Sequence, residues 1–142
     1  MSEVEEVDER VSLDLLKHKM AKFAKERDWD HFHTPRNLLL ALVGEVGEVS
    51  EIFQWKGEVP KGLPDWKEEE KIHLGEELSD VLLYLIRLAD ICGIDLGKAA
   101  LRKLQLNAIK PIPVSKLLLN GFGMLDKFYK NSGKSIYNPK GH

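Results

Sequence analysis

Between Leu38 and Trp55 the chain reads Leu-Leu-Leu-Ala-Leu-Val-Gly-Glu-Val-Gly-Glu-Val-Ser-Glu-Ile-Phe-Gln-Trp, an apolar helix that acquires Glu45, Glu48 and Glu51 at every third position. Side chains three or four apart on a helix have Cβ atoms about 5–6 Å from each other, so these acids share a face and repel. At ~4 Å and an effective dielectric of ~20, a like-charged contact costs on the order of 4 kcal/mol. A second stretch, Gly75-Glu-Glu-Leu-Ser-Asp80, repeats the device, with Glu77 and Asp80 three apart inside another apolar helix. Two such helices packed antiparallel would face four carboxylates inward around hard divalent cations. Mg²⁺ keeps several waters and takes its other oxygens from carboxylates and substrate phosphates.

The plainer reading of acids on an amphipathic helix is a solvated face, and Glu51, Glu68, Glu69, Glu70 and Glu76 are read that way. The two pairs differ in context. Leu42, Val43, Val46 and Val49 surround the first, and Leu74, Leu78, Val81 and Leu82 the second. Burying unpaired carboxylates is costly, so a solvated face fits these pairs poorly. Spacing alone leaves both readings open. Gly44 and Gly47, interleaved with the first pair, each cost a helix about 1 kcal/mol; they serve either close helix packing or room for phosphates and metal-bound water.

Helical signals recur along the chain. Ser12 is an N-cap for a helix to about Arg27 with Leu13, Leu16, Met20, Phe23 and Ala24 at helical spacing. Thr34-Pro35 starts the next, to about Lys56. Asp65, with Glu68 at the capping-box position, starts a third from Trp66 to Ile91, which Gly93 stops. Asp95 caps a fourth, Leu96 to about Ile109, before Pro111 and Pro113. No stretch shows sustained strand alternation, so the expected fold is all-α, a four-helix antiparallel bundle. The second and third helices are apolar over more than one stripe, which points to a homo-oligomer in which they pack again across a symmetry axis. The expected organisation is an acidic, disordered lead-in (1–11), an all-α domain (12–110) and an unassigned tail (111–142). In the connector, Trp29, His31, Phe32 and His33 supply too much ring for a solvated loop.

Composition narrows the partners. Asp and Glu number 23 against 21 Lys and Arg, so no basic excess points to a nucleic acid polymer. No apolar run reaches the ~20 residues of a membrane span. The single cysteine, Cys92, cannot form an internal disulfide, and the acidic start does not read as a signal or transit peptide; a cytoplasmic protein is expected.

Taken together, Glu45-x-x-Glu48 followed by Glu77-x-x-Asp80 resembles the signature of the all-α nucleoside triphosphate pyrophosphatases, the MazG-like superfamily. The words Arg27-Asp-Trp29, Phe32-His33-x-Pro-Arg-Asn-Leu-Leu-Leu-Ala-Leu-Val-Gly-Glu45, Phe53-Gln-Trp-Lys56 and Glu76-Glu-Leu-Ser-Asp80-Val-Leu-x-Tyr84 resemble one branch, the eukaryotic dCTP pyrophosphatases, over about residues 12–110. The resemblance implies that Glu45, Glu48, Glu77 and Asp80 are catalytic Mg²⁺ ligands. It implies that Trp29, Asp30, His31, Phe32, His33 and Trp55 receive the nucleotide, that Tyr84 contacts sugar or substrate, and that Lys103 and Asn107 lie near the phosphates. It further implies Mg²⁺-dependent hydrolysis of dCTP, or base-modified dCTP, to dCMP and pyrophosphate for nucleotide-pool sanitation, by a homotetramer built as a dimer of dimers. Two departures bear on base choice: Met20 stands where relatives carry a histidine, and Lys110-Pro-Ile-Pro113 replaces a basic-Tyr-Pro word. The alternatives are a superfamily enzyme for another nucleotide such as dUTP, and a non-catalytic helical interaction protein.

Overall fold

The computed structural model of the chain describes residues 10–109. The expected tail, 111–142, and the expected lead-in apart from Arg10 and Val11 lie outside the described residues. Four helices follow one another: α1 (Leu13–Glu26), α2 (Pro35–Phe53), α3 (Glu68–Ile91) and α4 (Leu96–Ile109). There is no strand among the described residues, as the all-α reading expects. The starts are those the sequence marks. Ser12 Oγ accepts from the Leu15 N–H at 3.0 Å, Thr34 Oγ1 from that of Asn37 at 3.3 Å ahead of Pro35, and Asp95 Oδ1 from that of Lys98 at 3.0 Å.

Two helices stop on a left-handed residue. At the end of α3, Gly93 (φ 67°) lets its own N–H reach Asp90 O at 3.0 Å and the Ile94 N–H reach Ala89 O at 2.9 Å, the paired bonds that close a helix C-terminus. At the end of α1 the same pair forms around Asp28 (φ 56°): Asp28 N–H to Lys25 O at 3.2 Å and Trp29 N–H to Ala24 O at 2.9 Å. Aspartate tolerates this conformation better than most residues. The stop delivers Trp29 at a fixed point over the end of α1.

Two boundaries differ from expectation. Helix α2 closes at Phe53 rather than near Lys56, because the backbone loosens into a turn, with the Lys56 N–H on Phe53 O at 3.0 Å, ahead of Gly57 at φ 65°. Helix α3 starts at Glu68 rather than Trp66, so Asp65 is not its cap. Trp66 instead sits in a turn, its N–H on Leu63 O at 3.1 Å, where its ring is buried and lies 5.2 Å from that of Phe53. Burying the indole there sets the chain's path, and Glu70 closes the N-terminus by accepting from the Lys67 N–H at 2.9 Å.

Helix α3 packs chiefly on α2, and also on α1. Three juxtapositions show that α2 and α3 run antiparallel: the bonds of His33 with Arg87 and of Lys56 with Glu70 at the two ends, and the approach of Glu45 to Glu77 and Asp80 between them. Ala24, Leu38, Ile86 and Ala89 form a buried core where α1 ends, α2 begins and α3 ends, while Leu74 and Trp66 are buried at the other end of α3. Much apolar surface stays uncovered within the chain, with Leu39, Val46 and Leu78 each 50% exposed and Leu40 59%. The fold divides after Ala99, within α4, so residues 100–109 belong with a second unit. Among the described residues no helix is long and apolar enough to cross a membrane.

Gly93→Ala should destabilise the protein by roughly 1–2 kcal/mol, the cost of a Cβ at positive φ, read as a lower urea midpoint with unchanged slope.

Candidate active site

Because α2 and α3 run antiparallel, their midpoints meet, and the acids of both sequence words come together there. Oxygens of Glu45, Glu77 and Asp80 lie within 4.8 Å of one another, with Glu45 and Glu77 half-buried and Asp80 exposed. Burial, followed by the charges of Asp80, Glu77 and Glu48, pushes the Glu45 carboxyl above its ordinary 4.5. The repulsion expected from the spacing is therefore present across the helices as well as along them. Glu48 is exposed and stands beside the group of three; with Glu51, Ile52, Gln54, Lys56, Trp66, Glu70 and His73 it lines a hollow of about 360 Å³. In that hollow Lys56 Nζ bonds Glu70 Oε1 at 2.6 Å and lies 4.8 Å from the Trp66 ring centre, holding the Glu70 carboxyl below its usual range. The donor set of the cluster is all oxygen and all carboxylate, the chemistry a hard divalent cation prefers.

Gly44, Gly47 and Gly75 flank these acids, and a Cβ at any of them would meet nothing within 4 Å. Close packing inside the chain, one of the two expectations for Gly44 and Gly47, is thus not what they provide. The open space is.

The connector folds as its ring content requires. Trp29 packs edge-on against Phe23, 5.5 Å between centres at 67°, and Arg27 lies 3.3 Å over the Phe23 ring. The His31 ring lies 3.9 Å from that of Phe32, both largely exposed. Asn37 Nδ2–H donates to Phe32 O at 2.9 Å, tying the connector to the first turn of α2. Asp30 and His33 both engage Arg87 of α3: Nη2–H donates to Asp30 Oδ1 at 2.9 Å and Nε–H to His33 Nδ1 at 3.0 Å. Since arginine only donates, His33 Nδ1 is the acceptor and the ring proton sits on Nε2. Burial, then the Arg87 charge, outweighs Asp30 and lowers the His33 pKa below 6.5, which keeps the ring neutral at pH 7.

Not every expected site residue gathers at one place. Tyr84 is half-buried on α3, one turn beyond Asp80. Trp55 stands 88% exposed just past α2, at the opposite end of that helix from Trp29. Nineteen helical residues span roughly 28 Å, so one base cannot lie on both rings of a single chain. Lys103 and Asn107 lie on α4 beyond Ala99, in the second unit. Arg87, the buried partner of the connector, was not singled out from the sequence; the signal was an arginine inside the apolar run Val81–Ala89.

The sequence profile of the MazG nucleotide pyrophosphohydrolase domain matches residues 33–106. Relatives called dCTP pyrophosphatase 1 are similar: that of Rattus norvegicus is 49% identical over 106 residues, and that of Homo sapiens 53% over 96. The matches take in 74% and 68% of this chain but 62% and 56% of those relatives, so the chain spans under two thirds of their length. A solved structure of a pyrophosphatase from Archaeoglobus fulgidus superposes with a TM-score of 0.62 at 32% identity, over 74% of this chain and 97% of that one.

A carboxyl whose folded-state pKa stands above its unfolded 4.5 contributes stability that is lost as pH rises through that window. Glu45→Gln should therefore raise the melting temperature of the cation-free protein at pH 7–8 and flatten its decline above pH 4.5, checked by calorimetry across pH.

Proposed function

The chain belongs to the MazG nucleotide pyrophosphohydrolase family, and from that premise we propose that it hydrolyses dCTP, or a base-modified dCTP, to dCMP and pyrophosphate, removing unwanted nucleotide from the precursor pool. The observation that carries the chemistry is the gathering of Glu45, Glu77 and Asp80 oxygens from two helices. The substrate follows from the relatives named dCTP pyrophosphatase 1, at about half identity.

Glu45, Glu77 and Asp80 would hold Mg²⁺, with Glu48 beside them. Bound there, the metal would neutralise charge building on the triphosphate and lower the pKa of a water for attack on phosphorus. The chain's own residues supply the rest. Trp29 offers an exposed ring for a base to stack on, a contact worth ~1–3 kcal/mol for any base. Neutral His33 presents an Nε2–H donor. Asp30, His31 and Phe32 complete the same connector, and Tyr84 stands between the acids and Arg87 on α3 for the sugar. Lys103 and Asn107 are proposed near the phosphates.

A homotetramer, a dimer of dimers, is proposed with this reading. Two features support it: the uncovered apolar stripes of α2 and α3, and the separation of Trp29 from Trp55, which lets Trp55 reach a base only from another copy. A domain at 12–110 followed by a separate tail is proposed alongside, and the unpaired, exposed Cys92 suits the reducing cytoplasm. A second reading, hydrolysis of another triphosphate such as dUTP, is favoured by half-buried Met20, whose thioether is only a weak acceptor for a base.

Pyrophosphate release from a panel of dNTPs and NTPs should require Mg²⁺, favour dCTP, and fall at least about a hundredfold in Glu48→Gln and Asp80→Asn. No turnover by folded protein would leave a helical interaction protein; turnover led by dUTP would keep the chemistry and move the substrate. Light scattering after gel filtration should give the mass of four chains.

A further inference from the structure

Among the described residues Arg87 is the buried charged side chain, 4% exposed. Desolvating a guanidinium is expensive, and here its planar fork is filled on three sides. Besides Asp30 and His33 on the connector, Nη1–H donates to Asp90 Oδ2 at 3.1 Å, one turn along the same helix. Asp90 therefore holds the guanidinium plane from within α3, and the two remaining arms hold the connector. The connector's other ties run to α1 and α2: the Trp29 N–H on Ala24 O, the Trp29 ring against Phe23, and Asn37 on Phe32 O. Arg87 is its charged link to the helix that carries Glu77 and Asp80.

The spacing along α3 adds a second constraint. Asp80, Tyr84 and Arg87 follow one another at intervals of four and three, so they lie on one stripe, with Arg87 about 10 Å along the axis from Asp80. One rigid helix thus sets the distance between the acids and the connector's rings, in the way a nucleotide sets the distance between its phosphates and its base.

We infer that Arg87 is a positioning residue for the base: without touching substrate, it fixes the His33 Nε2–H donor, and through Asp30 the backbone beside Trp29, at a set distance from the carboxylate cluster. This rests on the nucleotide-hydrolysis reading above. A tie that only stabilised the fold would lower the apparent kcat through the amount of folded enzyme and leave KM unchanged. A positioning tie acts on base binding.

The test is steady-state kinetics with Mg²⁺ on dCTP and on the other dNTPs, for the wild type, Arg87→Lys and Asp90→Asn, with circular dichroism of each. Lysine keeps the charge and loses the fork. The Asp90 side chain is 28% exposed and is assigned no contact with the nucleotide, so Asp90→Asn loosens the guanidinium from within α3 and carries the test if Arg87→Lys does not fold. The expected result is a KM for dCTP raised about tenfold, the loss of one charge-assisted contact, with kcat little changed and a narrower preference for dCTP over the other nucleotides. A KM equal to wild type in folded variants, or a fall in kcat alone, overturns the inference and leaves the hydrolysis reading intact. A wild type that turns over no nucleotide overturns both.

Discussion

The register in which α2 and α3 lie against each other governs the first unit. One turn of slip would move either helix about 5.4 Å along its partner and separate Glu45 from Glu77 and Asp80, which now lie within 4.8 Å. Apolar contact alone specifies such a register weakly, since leucines and valines recur along both helices. Polar ties at the two ends specify it better: Lys56 with Glu70 beside the buried Trp66, and Arg87 with His33 and Asp30. Between those ties the acids are held together against their own repulsion, which is visible in the raised pKa of Glu45.

Much of this was legible beforehand because it is local. The caps at Ser12, Thr34 and Asp95 and the stop at Gly93 are read from single residues whose side chains or conformations satisfy backbone groups within a turn. Failures came where a distant partner decides. Asp65 and Glu68 make a credible cap in sequence, but burial of Trp66 on Phe53 takes precedence and moves the start of α3 to Glu68. Asp28 as a left-handed stop was missed because aspartate there is only tolerated, whereas glycine would have announced it.

The candidate site divides the same way. Acids at i and i+3 inside apolar runs are a pattern along one strand of sequence, so Glu45, Glu48, Glu77 and Asp80 could be named. Their neighbours' exposure could not: Val46 and Leu78, expected to bury the acids, are each 50% exposed within the chain. Which apolar residues are covered within the chain depends on the faces that α2 and α3 turn to each other, which hydropathy along a chain encodes only in part. Arg87 was invisible for a related reason, since its partners Asp30 and His33 are more than fifty positions away.

The empty space over Gly44, Gly47 and Gly75 carries a lesson for anyone redesigning this chain. A protocol that scored folding alone would fill those positions with alanine and convert Glu45 to glutamine. Each change would make a sturdier helix pair. Accumulated together, they would yield a bundle with better propensity, less internal strain and no acidic mouth. The positions where this sequence declines the easier choice therefore surround the candidate site, and thermostability campaigns should leave them fixed.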